Sequence, residues 1–310
     1  MLRLMLLGLA AGMFFSATFI LNRAMSLEGG HWYWSAALRY AYMIVLLGAG
    51  LRACKGAEYF GRVLSELKKN ALFWVVSGTV GFGGFYALIC FAADYSPGWV
   101  VATTWQMTII ASLFVLMLFG KTFSKKIWIY AAFVFCGVFL VNISQVETAN
   151  ITTLILGASP VLVAAFLYPL GNQLVWEAKQ GRKGLPELDV ALLDNAFVKV
   201  FLLSIGSVPF WLLLYPFTSA TIPTQGQFVN VALVALFSGV IATSLFLSAR
   251  NGADNASKLA AVDATQSSEV IFALAGEALL LQASLPNATA VLGILIACAG
   301  LIAFVRHEHN

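Results

Sequence analysis

Residues 259–281 contain the side chains of this chain whose types and positions could do chemistry. The stretch has the length and apolar content of a membrane-spanning helix, yet it carries Asp263, Gln266, Glu269 and Glu277. A carboxylate at the centre of a bilayer costs roughly 2.5–3.5 kcal/mol on insertion scales, so such residues usually serve a site or have a partner. An acid at this depth without a countercharge favours its neutral form, and it can exchange that proton for a bound cation.

The composition shows which elements must position these residues. Of the 310 residues, 60% are hydrophobic and only 10% are charged, whereas a soluble domain has about 25% charged residues. A helix needs about 20 apolar residues to cross a bilayer. We therefore predict an all-α integral membrane protein that crosses the lipid bilayer ten times, at residues 4–22, 32–51, 72–92, 98–119, 127–144, 153–175, 195–215, 227–249, 258–281 and 288–305.

The positive charges indicate the orientation of these spans. With the N-terminus in the cytoplasm, 15 of the 18 Lys and Arg residues fall in cytoplasmic segments, and Arg23 is the one cation in an outer segment. Arg39 and Lys199 fall inside spans. Cytoplasmic loops of membrane proteins are enriched in Lys and Arg. We expect a multi-pass protein of the cytoplasmic (inner) membrane with both termini on the cytoplasmic side.

The chain also repeats itself weakly. A shift of 161 residues lays spans three and four over spans eight and nine, so that Ser77 falls on Ser238, Phe85 on Phe246 and Thr104 on Thr265. Five spans per repeat is an odd number, so the second copy must insert upside down. We predict a single transmembrane domain, residues 1–310, made of two inverted five-helix repeats (1–146 and 150–305). Such repeats are typical of transporters with a site near the midplane.

Depth along the spans suggests how the buried charges are distributed. Asp263 and Lys199 lie at a similar depth on the cytoplasmic side, and Glu277 and Arg39 at a similar depth on the outer side. We therefore predict the charge pairs Lys199–Asp263 and Arg39–Glu277, because buried charges are normally tolerated in pairs. Glu269 remains at the midplane with no cation at its depth. It is either a proton-coupling residue or a neutral acid that hydrogen-bonds Ser or Thr on a neighbouring helix.

Other polar and aromatic residues could line a cavity with Glu269. Gln266 lies between the directions of Asp263 and Glu269 on one helix, and Gln106 offers a counterpart from the first repeat. Asn172 could face the same space from span six, and Trp105 either packs between helices or lines the cavity. The predicted substrate-binding set is Trp105, Gln106, Asn172, Gln266 and Glu269.

Several classes of protein are disfavoured. The four cysteines are scattered singly, and the three histidines lie at span ends or in the C-terminal tail, so we predict neither a metal site nor a cofactor. The net charge of +4 comes from cations that mark loops, which gives no reason to expect a nucleic-acid partner. The outer loop 216–225 has no ionisable residue, whereas membrane enzymes usually cluster His, Asp or Ser in such loops. We therefore do not expect an enzyme.

With these residues in hand, the chain resembles the drug/metabolite transporter superfamily, and within it the multidrug resistance efflux transporter (EamA/EmrE-like) branch. The resembling stretches are HWYWSAALRY (31–40), VGFGGFYALICFAA (80–93), PGWVVATTWQMTIIA (97–111), YPLGNQ (168–173), SGVIATSLF (238–246) and LAAVDATQSSEVIFALAGE (259–277). The resemblance implies ten helices in two inverted repeats and secondary transport, often export. Small multidrug pumps of this kinship carry their essential glutamate in the first helix, where this sequence offers only Ser16, Thr18 and Asn22.

These features predict a secondary active transporter that exports small, partly apolar or cationic solutes, in exchange for protons or by facilitated diffusion, as a monomer or homodimer. The nearest alternative is an exporter of amino acids or other metabolites, in which Arg39 or Lys199 binds a carboxylate. Further alternatives are a lipid transporter or flippase and a receptor or scaffold without flux.

Overall fold

The structure, a computed structural model, describes residues 1–146, 150–254 and 256–308. The secondary-structure elements in these ranges are all helices, joined by turns and loops, without a strand. In chain order the long helices are α1 (Leu2–Leu27), α2 (Trp32–Lys69), α3 (Ala71–Ala92), α4 (Gly98–Leu118), α5 (Lys125–Ile143), α6 (Ile151–Lys179), α7 (Ala196–Phe217), α8 (Gln225–Asn251), α9 (Ala256–Ala264, Thr265–Ser267 and Ser268–Leu280 in succession) and α10 (Ala288–Glu308). A one-turn helix, Val190–Leu193, lies between α6 and α7.

Nine of these helices, all but α9, are long and apolar enough to cross a membrane, counted over the described part of the chain. The prediction of an all-α protein with many membrane spans is confirmed at this level. Helix α9 differs because a 3₁₀ turn, Thr265–Ser267, divides it into two shorter pieces. Asp263 lies on the first of these pieces, and Glu269 and Glu277 lie on the second.

Helix α2 is longer than predicted. The apolar pattern predicted a span over residues 32–51, but the helical segment continues to Lys69 with a break at Gly56, whose φ is 86°. A positive φ is a conformation that glycine adopts at little cost. We call residues 57–69 the α2 tail. The α2 tail buries Val63 and Glu66 against the rest of the protein, so the basic segment after the second span is a docked helix.

Four helices have interruptions that occur in matching positions. Helix α3 contains a π-helical segment, Thr79–Gly84, and α8 contains one at Ala235–Ala242. Helix α4 is interrupted at Gln106, and the shift of 161 residues places Gln106 on Ser267, in the 3₁₀ turn of α9. Irregular turns inside helices change the direction of side chains and are frequent at functional sites.

Small residues allow the helices to pack closely around these interruptions. Helix α1 packs against α8 and α9, and α6 packs against α3 and α4. At the crossing of α3 with α6, a Cβ atom added to Gly81 would lie 2.9 Å from the Cα of Gly171. Side chains at this crossing would therefore force the two backbones apart.

Candidate functional site

A central cavity of about 720 Å³ lies between the helices. All five residues of the predicted binding set line it. Its lining includes charged, polar and aromatic side chains: Arg39, Phe85, Tyr86, Trp105, Gln106, Tyr168, Asn172, Lys199, Ser238, Arg250, Asp263, Gln266 and Glu269. The cavity thus brings together side chains from both halves of the sequence.

The cavity extends toward one end of the helix bundle. Its lining reaches Leu116 near the end of α4, Ala196 at the start of α7, Arg250 near the end of α8 and Val305 near the end of α10. These ends adjoin the basic segments of the chain. At the opposite end the helices are tied together by hydrogen bonds, for example from the Tyr33 hydroxyl to the Trp211 carbonyl oxygen at 2.8 Å.

The contact between Gln106 and Glu269 joins α4 to α9 inside this cavity. The Gln106 Nε2 donates a hydrogen bond to Glu269 Oε1 at 2.9 Å and also contacts the Ala102 carbonyl oxygen at 3.2 Å. Gln106 lies at the interruption of α4, and Glu269 lies in the first turn after the 3₁₀ segment of α9. The two helix interruptions therefore position a protonatable carboxyl group and its hydrogen-bond donor against each other.

An aromatic wall faces the same space. The ring centroids of Phe85 and Trp105 lie 5.0 Å apart, those of Phe85 and Tyr168 5.0 Å apart, and those of Trp105 and Tyr168 5.6 Å apart. Aromatic pairs at these separations stabilise one another and form a rigid apolar surface. Trp105 thus combines the two roles left open for it, since it packs against other rings and also lines the cavity.

The remaining predicted residues differ in how they are held. The Asn172 Nδ2 donates to the Tyr168 carbonyl oxygen at 2.9 Å, and the residue lines the cavity. Gln266 is exposed and also lines the cavity. Asn22 is buried, and its Nδ2 donates to the Tyr86 hydroxyl at 3.1 Å.

The predicted Arg39–Glu277 pair is wrong. Glu277 is 1% exposed, and its Oε1 and Oε2 accept hydrogen bonds from the backbone nitrogens of Gly98 and Trp99, each at 2.8 Å. The first turn of a helix has unsatisfied N–H groups and a partial positive charge, which suit a carboxylate. Arg39 instead donates to Ser238 Oγ at 2.9 Å, and its guanidinium lies 4.1 Å from the Tyr86 ring centroid.

The predicted Lys199–Asp263 pair is also wrong. Asp263 Oδ1 lies 3.4 Å from Arg250 Nε, and the ion pairs of residues 1–146, 150–254 and 256–308 do not include Lys199. Similar depth in the bilayer gives the height of two side chains but not the directions in which their helices point them. Lys199, Arg250 and Asp263 nevertheless all line the cavity.

Sequence reasoning missed Tyr86, Tyr168, Ser238 and Arg250 as lining residues. A signal was present for one of them, because Ser238 belongs to the Ser-Gly pair that repeats Ser77-Gly78 at a shift of 161 residues. The aromatic residues gave no such signal, since 13% of the chain is aromatic. Only the packing of α2, α3 and α6 shows which rings face inward.

The many apolar helices around a cavity lined by both polar and apolar residues define a multi-pass membrane protein of the transporter class. The comparison with protein families agrees, because the model described as "EmrE: Putative multidrug resistance efflux transporter" matches residues 2–310. The chain belongs to this efflux transporter family of the drug/metabolite transporter superfamily. The resemblance stated from the sequence is therefore confirmed.

Two relatives and one solved structure show how far the similarity extends. "Uncharacterized protein YjlA" of Bacillus subtilis (strain 168) is 38% identical over 317 residues, 97% of this chain and 94% of that protein. The "Uncharacterized 42.1 kDa protein in intracellular alkaline protease 3'region" of Shouchella clausii is 34% identical over 79% of this chain and 64% of that protein. A crystal structure matches with a TM-score of 0.57 and 15% identity over 96% of this chain and 97% of the matched chain. At that identity the match shows the fold alone.

Proposed function

We propose that this protein is a secondary active transporter that exports small, partly apolar solutes through the central cavity in exchange for protons at Glu269. The observation that carries the proposal is the contact of the Glu269 carboxyl group with Gln106 in the cavity, at 2.9 Å between Oε1 and Nε2. The direction of transport, export, follows from the description of the matching family as efflux transporters. The transported molecule is a small solute, and the protein works in the cytoplasmic membrane as a monomer or homodimer.

The chemistry of the pair explains how Glu269 would alternate between two states. An ionised carboxylate only accepts hydrogen bonds, and the Gln106 amide offers the donor it needs. A protonated carboxyl group can itself donate, and the Gln106 side chain also carries an oxygen that accepts. Gln106 can therefore partner both states of Glu269. The proton would enter from the outside, and it would be released to the cytoplasm before the next solute binds.

The ten spans and two inverted repeats belong to the same proposal. Helix α9 would be the tenth span, and its polar residues would be tolerated because they face the cavity and neighbouring helices. Both termini would be cytoplasmic. The paired interruptions in α3 and α8, and in α4 and α9, support a rocking motion of these four helices that opens the cavity to alternate sides.

The orientation of the cavity supports export from the cytoplasm. Its lining reaches the helix ends that adjoin the basic segments, and basic segments of membrane proteins are mostly cytoplasmic. The conformation described here would then be open to the cytoplasm and ready to take up a solute. The hydrogen bonds at the opposite end of the bundle would have to break for release.

The test is transport by the purified full-length protein in proteoliposomes under an imposed pH gradient. Three radiolabelled probes share a phenylpropyl body and differ in their head group: phenylpropanoate, phenylpropylammonium and phenylpropanol. We expect the gradient to drive at least one of them in the wild type. Glu269→Gln should abolish this accumulation while leaving gradient-independent exchange of the probe.

The matched control is Glu28→Gln, which removes an exposed carboxylate that does not line the cavity. It should transport like the wild type. Gradient-driven accumulation that persists in Glu269→Gln would disprove proton coupling at this residue. Absence of flux for all three probes in the wild type would count against the transport of small, partly apolar solutes.

A further inference from the structure

Arg39 is a cation that lines the cavity, and its predicted acidic partner, Glu277, binds other groups. Glu277 lies at the same predicted depth, but both of its carboxylate oxygens bind backbone N–H groups of α4. The ion pairs found among the described residues do not include Arg39. Its contacts include the Ser238 hydroxyl, which accepts a hydrogen bond, and the side chain of Tyr86.

These contacts hold the guanidinium group while leaving much of its hydrogen-bonding capacity unused. Tyr86 is fully buried and is itself fixed by the hydrogen bond from Asn22. A guanidinium group has five N–H donors in its plane, and the guanidinium carbon of Arg39 lies 4.1 Å from the centroid of the Tyr86 ring. Ser238 uses one of these donors. The geometry therefore leaves donors for a planar carboxylate, which arginine binds with two parallel hydrogen bonds.

The charges around the cavity favour an anion. Arg39, Lys199 and Arg250 line it together with Asp263 and Glu269. Arg250 and Asp263 form an ion pair, which leaves two cationic side chains and a single carboxyl group, Glu269. Clefts lined by one sign of charge concentrate ligands of the opposite sign.

We infer that the cavity selects small organic carboxylates with an apolar or aromatic body, and that Arg39 binds the carboxylate. The wall of Phe85, Trp105 and Tyr168 would contact the body of such a ligand. This inference names the substrate class of the proposed transporter, and it rests on the proposed function for the claim that the cavity is the transport route. It predicts a preference opposite to the cationic solutes expected from the sequence.

The test measures binding to the purified full chain in detergent, without a membrane gradient. The ligands are the same phenylpropanoate, phenylpropylammonium and phenylpropanol, so that only the head group differs. We expect phenylpropanoate to raise the thermal unfolding midpoint, since a ligand that binds the folded state stabilises it. The ammonium and alcohol probes should bind about tenfold more weakly or not at all. A stronger response to the ammonium probe, or none to phenylpropanoate up to about 10 mM, would overturn the inference.

Variants assign the binding to Arg39. Arg39→Gln should weaken phenylpropanoate binding by about 30-fold, and Arg39→Lys should weaken it less, because lysine keeps the charge but loses the fork of donors. The control Arg62→Gln removes a half-exposed arginine far from the cavity and should bind normally. Binding that is lost in Lys199→Gln and kept in Arg39→Gln would overturn the assignment. If Arg39→Gln does not fold, the other two variants provide the test. Normal phenylpropanoate binding by Arg39→Lys, together with lost binding by Lys199→Gln, would then overturn the assignment to Arg39.

The outcomes separate this inference from the proposed function. If phenylpropanoate binds in a way that depends on Arg39 but no probe shows gradient-driven flux, the carboxylate site is supported and the proton-coupled transporter is disproved. If the gradient drives flux of phenylpropylammonium but phenylpropanoate does not bind, the transporter is supported and the carboxylate site is disproved.

Discussion

The carboxylate of Glu277 in α9 lies 2.8 Å from the backbone nitrogen of Gly98, the first residue of α4. Its second oxygen accepts from the next residue, Trp99. A buried acid of one helix thus satisfies the free N–H groups of another. Because α4 and α9 also carry Gln106 and Glu269, this contact helps to set the relative position of the two residues that meet in the cavity.

Glu277→Gln should destabilise the protein. A glutamine has one acceptor oxygen, so one of the two backbone N–H groups would face the amide N–H₂ group, and the favourable charge at the helix end would be lost. We expect the free energy of unfolding in detergent to fall by about 1–3 kcal/mol. The control is Glu28→Gln at an exposed position, which should unfold like the wild type. A stability equal to that of the control would show that the buried contact contributes nothing.

Gly98→Ala should destabilise the protein by a steric effect at the same place. An added Cβ would lie 2.6 Å from the Phe19 carbonyl oxygen, which belongs to the backbone of α1 and cannot rotate away. We expect a loss of about 1–3 kcal/mol in the free energy of unfolding. Gly50→Ala is the matched control, because nothing lies within 4 Å of its added Cβ. Equal unfolding midpoints of the two variants would contradict the close contact of α4 with α1.

Gln106→Met should impair proton-driven transport without unfolding the protein. Methionine keeps the length of the side chain and removes the N–H donor that contacts Glu269 at 2.9 Å. A hydrogen bond to a charged group contributes about 1.5–3 kcal/mol, so we expect gradient-driven flux to fall about tenfold or more. Gln173→Met is the control, since Gln173 donates to Glu177 in the same way but does not line the cavity. Similar flux in the two variants would argue against a role for Gln106.

The ion pair between Arg62 in the α2 tail and Asp189, at 2.8 Å, should give a small pH-dependent stabilisation. The hydrogen bond from Arg62 holds the pKa of Asp189 below its usual range. A lowered pKa in the folded state means stability that is present above the unfolded-state pKa of about 4 and is lost as the pH falls through the folded-state value. The wild type should be slightly more stable than Arg62→Gln at neutral pH, and the difference should be small because the pair is exposed to solvent. The difference should vanish at low pH, and one that grows with acidification would contradict this assignment.

The local properties of the sequence were sufficient for the helices and for much of the cavity. A run of about 20 apolar residues has few alternatives to a membrane helix, so most of the long helices could be predicted within a few residues. Polar residues such as Gln106, Gln266 and Glu269 stood out against that apolar background. They line one cavity. Whether they bind a solute or a proton stays a prediction.

The tertiary structure decided which partners the charges have. The depth of a residue in the membrane follows from its position along the span, which the sequence gives. The rotation of each helix about its own axis depends on how all the helices pack. Rotation directs Glu277 to the backbone of α4, pairs Asp263 with Arg250 and leaves Arg39 facing the cavity beside Ser238. Similarly, the α2 tail folds back because Glu66 accepts hydrogen bonds from Asn70 and from the backbone of Asp189, a residue more than a hundred positions away. Such contacts between distant segments arise only when the chain is packed.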